Sequence, residues 1–228
     1  MIDITAERAA LAGMVLFSAA CATGADEIAC QSMDWTLVGR EDGAMGLAKP
    51  KFRDRADKCG DPDEIVGEDR YLVGFDQGRR AFCSAEGGLS AGYRDIPYKD
   101  VCPPDSELSF LVEYDLGAEL GKLEKDYDVA KREASKTARL LSRAKLSLTS
   151  ESNRYNDPDL SASERFISRQ DLEYYQRETA RLTRALPKAQ AREKAAAAAF
   201  TEFQSQLIAE GRLNADGAPP TPLSPQEE

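Results

Sequence analysis

Apolar residues from Leu116 onward fall at alternating steps of four and three: Leu116, Leu120, Leu123, Tyr127, Ala130, Ala134, Thr137, Leu141, Ala144 and Leu148. That spacing is the seam of a helix packed on another helix. A second series runs Leu172, Tyr175, Thr179, Leu182, Leu186 and Ala189. It is interrupted by Glu193 and resumes at Ala196, Phe200, Phe203 and Leu207. Between the two lies Ser-Asn-Arg-Tyr-Asn-Asp-Pro-Asp at 152–159, a loop by composition. Ser161 followed by Glu164 offers a capping box for the second helix, and Gly211 offers a C-terminal cap. The pattern predicts an antiparallel, coiled-coil-like hairpin over 106–211, since so short a connection makes the two helices neighbours. Pro187 falls inside the second helix, where a kink or a missing hydrogen bond is expected. Asp157, Asp159 and Glu164 do not follow the order of a calcium loop and are read as capping groups.

Upstream, glycine recurs at helical spacing. Tyr71, Gly74, Gly78 and Phe82 line one face, with Asp61-Pro62 as a start signal and Gly87-Gly88 as a stop, which predicts a helix over about 61–84. A shorter helix opens at Trp35, carries Gly39, Gly43 and Gly46 on or near one side, and ends before Lys49-Pro50. Residues 85–104, rich in glycine and proline, read as an ordered loop. The fold expected is mainly α, a small Gly/Cys-rich head over 30–105 followed by the hairpin. A proline-rich tail over 212–228 is expected to be disordered.

Cysteine usage adds a compartment. Residues 9–20 form an apolar run ending in small residues just before Cys21. Twelve residues are too few for a membrane span, which needs about 20, but they suit the core of a secretory signal peptide over 1–20. Ala19-Ala20-Cys21 resembles a bacterial lipoprotein box. Ser18 stands where leucine is usual, and Arg8 is the only basic residue ahead of the run. Lipidation at Cys21, with 21–29 as a tether, is therefore expected, and cleavage to a soluble periplasmic protein is the alternative. Cys30, Cys59, Cys83 and Cys102 remain, an even number confined to the head. They point to two disulfides in an oxidising compartment, with all three pairings open. Their wide gaps do not suit a zinc site, whose cysteines come in close pairs.

Charge and composition then narrow the function. The net charge is −10, and there is no histidine among the 228 residues. Residues 1–105 hold 12 Lys+Arg against 19 Asp+Glu, whereas 106–211 hold 17 against 18. An acidic head on a balanced rod lacks the basic stripe that nucleic acid requires. Without histidine, the Ser-His-Asp triad, the Cys-His dyad and His-ligated metal are excluded. No cofactor and no metal are expected.

Taken in order, Cys30, Asp34-Trp35, Gly39, Asp42-Gly43, Gly46, Cys59, Tyr71-x2-Gly74-x3-Gly78, Phe82-Cys83, Gly88, Gly92, Tyr98, Val101-Cys102-Pro103, Phe110, Tyr114 and Gly117 resemble the bacterial domain of unknown function 2799. The resemblance covers about 30–121, with Phe82 where the family often has tyrosine. It implies a short envelope lipoprotein with a Trp/Gly/Cys-rich head and long helices, and it implies no activity. The function expected is a non-enzymatic module of the Gram-negative periplasm, anchored in the outer membrane through its lipid and meeting an envelope protein or cell-wall polymer. The alternative is a ligand-binding or sensing protein. Its pocket would be lined by Trp35, Asp42, Tyr71 and Tyr98.

Overall fold

The computed structural model describes residues 33–57 and 67–221. The expectations for the signal peptide, the tether, Cys21, Cys30, Cys59 and the Asp61-Pro62 start lie outside the described residues. What is described is mainly helical, with no strand among the described residues. The helices are α1 (Trp35–Ala44), α2 (Phe52–Ala56), α3 (Glu68–Phe82), α4 (Ala85–Tyr93), α5 (Pro104–Tyr155) and α6 (Ala162–Ala209).

Local chemistry explains most of the boundaries. The Asp34 carboxylate accepts from the amides of Thr36 and Leu37 at 3.0 and 3.2 Å, which caps α1. Helix α3 starts at Glu68, later than the expected 61, because Gly67 stands outside helical conformation. Its first turn holds Glu68 and Asp69 and its last turn Arg79 and Arg80, the polarity that a helix dipole favours. The stretch expected to be a loop after Cys83 is instead helical: Ser84 caps α4 by accepting from the Gly87 amide at 3.0 Å.

Backbone contact holds the head together. A Cβ added at Gly39 would lie 2.0 Å from the Tyr71 carbonyl oxygen, and one at Gly74 would lie 1.9 Å from that of Thr36. Gly43 and Gly78 repeat the arrangement one turn on, so α1 and α3 interlock with no side chains between them. Helices α4 and α5 do the same: a Cβ at Gly92 would sit 2.0 Å from the Tyr114 oxygen, and one at Gly117 would sit 2.1 Å from that of Leu89. Both pairs carry the spelling Tyr-x2-Gly-x3-Gly, at Tyr71 and at Tyr114. The head is thus one helix-pairing device used twice. Such close approach permits Cα–H to carbonyl contacts that offset the roughly 1 kcal/mol each helical glycine costs relative to alanine.

Helix α5 continues out of the head without a break, so the 105/106 boundary read from composition falls at its start while its glycines still serve the head. Beyond Gly121 it packs on α6. Leu120 meets Leu207, Glu133 pairs with Arg192, Leu141 and Ala144 meet Leu182, and the Ser168 hydroxyl donates to the Glu151 carboxylate at 3.2 Å. Rising numbers on α5 therefore meet falling numbers on α6. The first helix runs on to Tyr155, three residues into the expected loop, and the Ser161–Glu164 capping box is formed. Arg165 closes the connection by donating to the carbonyls of Tyr155, Asp157 and Leu160 at 3.0, 3.2 and 3.4 Å. Pro187 lies within an uninterrupted α6.

The tail departs from its expectation. Gly211, at φ 72°, turns the chain after α6. Leu213 is then buried beside Leu89, Leu120 and Leu207. Arg212 pairs with Glu113 and Glu210, and the Gln204 amide donates to the Gly217 carbonyl at 3.3 Å. Residues 212–221 are docked because one leucine fits the junction of head and hairpin, which proline content alone did not reveal.

Candidate functional site

Trp35, Asp42 and Tyr71 come from α1 and α3, which the interlocked glycines hold at backbone contact, and they meet in one cluster. Trp35 packs edge-on against Phe52 with ring centroids 4.9 Å apart, Phe52 lies 5.6 Å from Tyr71, and Tyr71 stacks on Phe75 at 6.2 Å. Exposure is 1% for Trp35, 1% for Asp42 and 0% for Tyr71, so these side chains form core and do not line an open pocket. This corrects the pocket expectation. The indole and phenol, which read as binding faces, fill the space that the glycines leave.

Asp42 is the unusual member, a carboxylate inside the core. The Tyr71 hydroxyl donates to its Oδ2 at 2.7 Å and itself accepts from the Lys51 amide at 2.9 Å. Arg55 on α2 forks onto the same carboxylate, Nε to Oδ2 at 3.2 Å and Nη2 to Oδ1 at 2.5 Å. Both acceptor oxygens are thereby satisfied, as a buried charge requires. Burial, followed by the hydrogen bond to Asp42, raises the Tyr71 hydroxyl to a pKa of about 12. The Asp42 hydrogen bond and charge raise Arg55 above its ordinary value. The group acts as a clamp joining α1, α2 and α3. Arg55 and the Lys51 amide were not anticipated, because Phe-Arg-Asp-Arg-Ala-Asp reads as a solvated charged run.

Tyr98 belongs elsewhere. Its ring lies 4.9 Å from Phe110, and its hydroxyl donates to Glu107 at 2.7 Å and accepts from the Cys102 amide at 3.3 Å. Burial and the Glu107 carboxylate raise its pKa. Beside it, Cys83 and Cys102 form a disulfide with Cα atoms 5.4 Å apart, at 2% and 8% exposure. That selects one bond from the open pairings and ties the end of α3 to the start of α5. A third tyrosine, Tyr93, donates to Glu124 at 2.7 Å and is raised to about 12 by that bond first and burial second.

Among the described residues no cluster of three or more His, Cys, Asp or Glu side chains could hold a metal ion. Asp157 accepts from the Asp159 amide, and Glu164 is engaged by Ser161. Among the described residues no helix is long and apolar enough to cross a membrane.

Residues 34–119 match the model of a family described as a protein of unknown function, DUF2799. No curated protein and no solved structure matches the chain. The matched span opens at the Asp34 cap of α1 and closes between the two glycines of α5, so it coincides with the doubled glycine-paired head.

Proposed function

From a chain that belongs to the DUF2799 family through residues 34–119, we propose a non-enzymatic envelope module, lipid-anchored at Cys21, that carries a rigid head on an antiparallel, coiled-coil-like stalk. The observation that carries this reading is the Cys83–Cys102 disulfide. A buried cystine in a small head is characteristic of oxidising compartments and is rare where glutathione keeps thiols reduced. The apolar run before Cys21 supplies an export route, and a triacylated cysteine would hold the chain stably on a membrane. The aromatic and acidic residues of the head are engaged in packing and clamping, which favours an interaction role over a ligand pocket built from Trp35, Tyr71 and Tyr98.

The test is the intact mass of the protein purified from membranes of its own host, before and after reduction and thiol alkylation. Loss of residues 1–20, added acyl mass, and alkylation of Cys83 and Cys102 only after reduction are expected. A processed chain without acyl mass would reject the anchor and keep export. A full-length chain whose Cys83 and Cys102 alkylate without reduction would overturn the envelope reading altogether.

A further inference from the structure

Every position reached from Asp105 by alternating steps of three and four residues, as far as Leu140, is exposed. This is one continuous stripe along α5, on the face turned away from neither α4 nor α6 alone but beside both. It is not uniformly polar. Leu108, Val112, Val129 and Leu140 sit on it at 74%, 51%, 48% and 38% exposure. Its charge is also sorted. The end near the head carries Asp105, Asp115 and Glu119. The far end carries Lys136 and opens onto a groove walled on α6 by Arg181, Lys188 and Arg192 and floored by Leu140, Leu182 and Ala189.

Asp115, Lys136 and Lys188 enter no ion pair among the described residues. An acidic apolar segment and a basic apolar groove thus lie on one face of the same molecule. They are separated along a straight helix, so neither can reach the other within one copy. A twofold axis between them solves this, since it sets the acidic end of each chain on the basic end of its mate. We propose that the chain forms a homodimer through this face, with α5 helices running antiparallel and Asp115 and Glu119 of one copy against Lys136 and Lys188 of the other. Val129, near the middle of the stripe, falls close to the axis. The pairing does not rest on lipidation or on export.

The experiment uses the full chain in a mild non-ionic detergent. Within one copy Lys136 lies 17 residues beyond Glu119, about 25 Å at 1.5 Å per residue, so a zero-length carbodiimide cross-link between them can only join two copies. The expected peptide links Lys136 to Asp115 or Glu119, in a species of twice the chain mass. In sedimentation equilibrium, Lys136→Glu or Asp115→Lys alone should weaken dimerisation about tenfold, because each contact occurs twice and attraction becomes repulsion. Combining the two reversals should restore dimerisation to near the parent value. Both sites are exposed, and an unchanged helical circular dichroism spectrum confirms that the variants fold. A monomer at all concentrations overturns the proposal, as does a dimer whose cross-links avoid this face or whose reversals fail to rescue each other.

Discussion

Asp42 is held at 1% exposure by donors of unequal exposure, since the Arg55 side chain keeps 39% of its surface while Tyr71 keeps none. Arg55→Ala leaves a buried carboxylate with the Tyr71 hydroxyl alone. The expected loss is about 2–3 kcal/mol, somewhat below that of a sealed pair because water can follow the departing guanidinium. Tyr71→Phe removes one neutral donor and strands the Lys51 amide, with an expected loss of about 1–2 kcal/mol. Urea unfolding of the two variants should rank them in that order. The reverse order would mean that the ion pair is solvated. The tyrosines also predict a pH response. Tyr71 and Tyr93 are raised to about 12 when folded, whereas an unfolded tyrosine titrates near 10. Their contribution is complete below pH about 10 and is lost as pH rises through about 12, because only the unfolded chain ionises in that window. Tyrosinate absorbance should therefore rise together with unfolding, and Y71F/Y93F should flatten the stability loss across that range. None of this clamp was legible from Asp42 itself. Its neighbour Gly43 suggested a cap or a ligand, and the true partners stand 13 and 29 residues along the chain.

For the helices, a glycine's role depends on what faces it. At an open helical site, Gly→Ala would stabilise by roughly 1 kcal/mol. At Gly74 the new methyl would lie 1.9 Å from the Thr36 carbonyl oxygen, which belongs to backbone and cannot rotate away. Gly74→Ala should therefore cost about 3 kcal/mol or more, by forcing α1 and α3 apart. Gly117→Ala should act similarly on α4 and α5. Gly211 is the contrasting control: nothing lies within 4 Å of its added Cβ, and its φ of 72° alone disfavours a side chain. Gly211→Ala should cost about 1 kcal/mol. Equal thermal shifts at positions 74 and 211 would show that the helices do not touch through their glycines. The same reasoning explains why α1 and most of α3 were readable while α4 was not. Tyr71, Gly74, Gly78 and Phe82 repeat at helical spacing among good helix formers. Gly87, Gly88 and Gly92 crowd a nine-residue segment and read as breakers. Propensity is overridden there because α5 presents carbonyls that only glycine can approach.

For the molecule as a whole, the hairpin was the most legible part, because a heptad seam is a local signal repeated many times. How the hairpin joins the head was not, because it depends on single long-range contacts. Helix α5 serves both parts, and the cluster of Leu89, Leu120, Leu207 and Leu213 draws α4, α5, α6 and the tail into one junction. A tail that composition assigns to solvent thus closes the seam between the two regions. Ending the chain at Gly211 removes Leu213, which is 6% exposed, and the Arg212 partner of Glu113, whose side chain is 15% exposed. Losing a buried leucine costs about 2–3 kcal/mol. For a chain of this size that corresponds to a fall in Tm of about 5–10 °C. Leu213→Ala should reproduce most of the fall, and a charge-removing Arg212→Gln only a smaller part, since its own surface is a third exposed. Because α5 crosses the junction unbroken, both variants should lower one common transition when followed by helical circular dichroism and by the near-ultraviolet signal of Trp35 in the head. A truncated chain with an unmoved Tm would return the tail to solvent. A split into two transitions would mean that head and hairpin melt independently despite the shared helix.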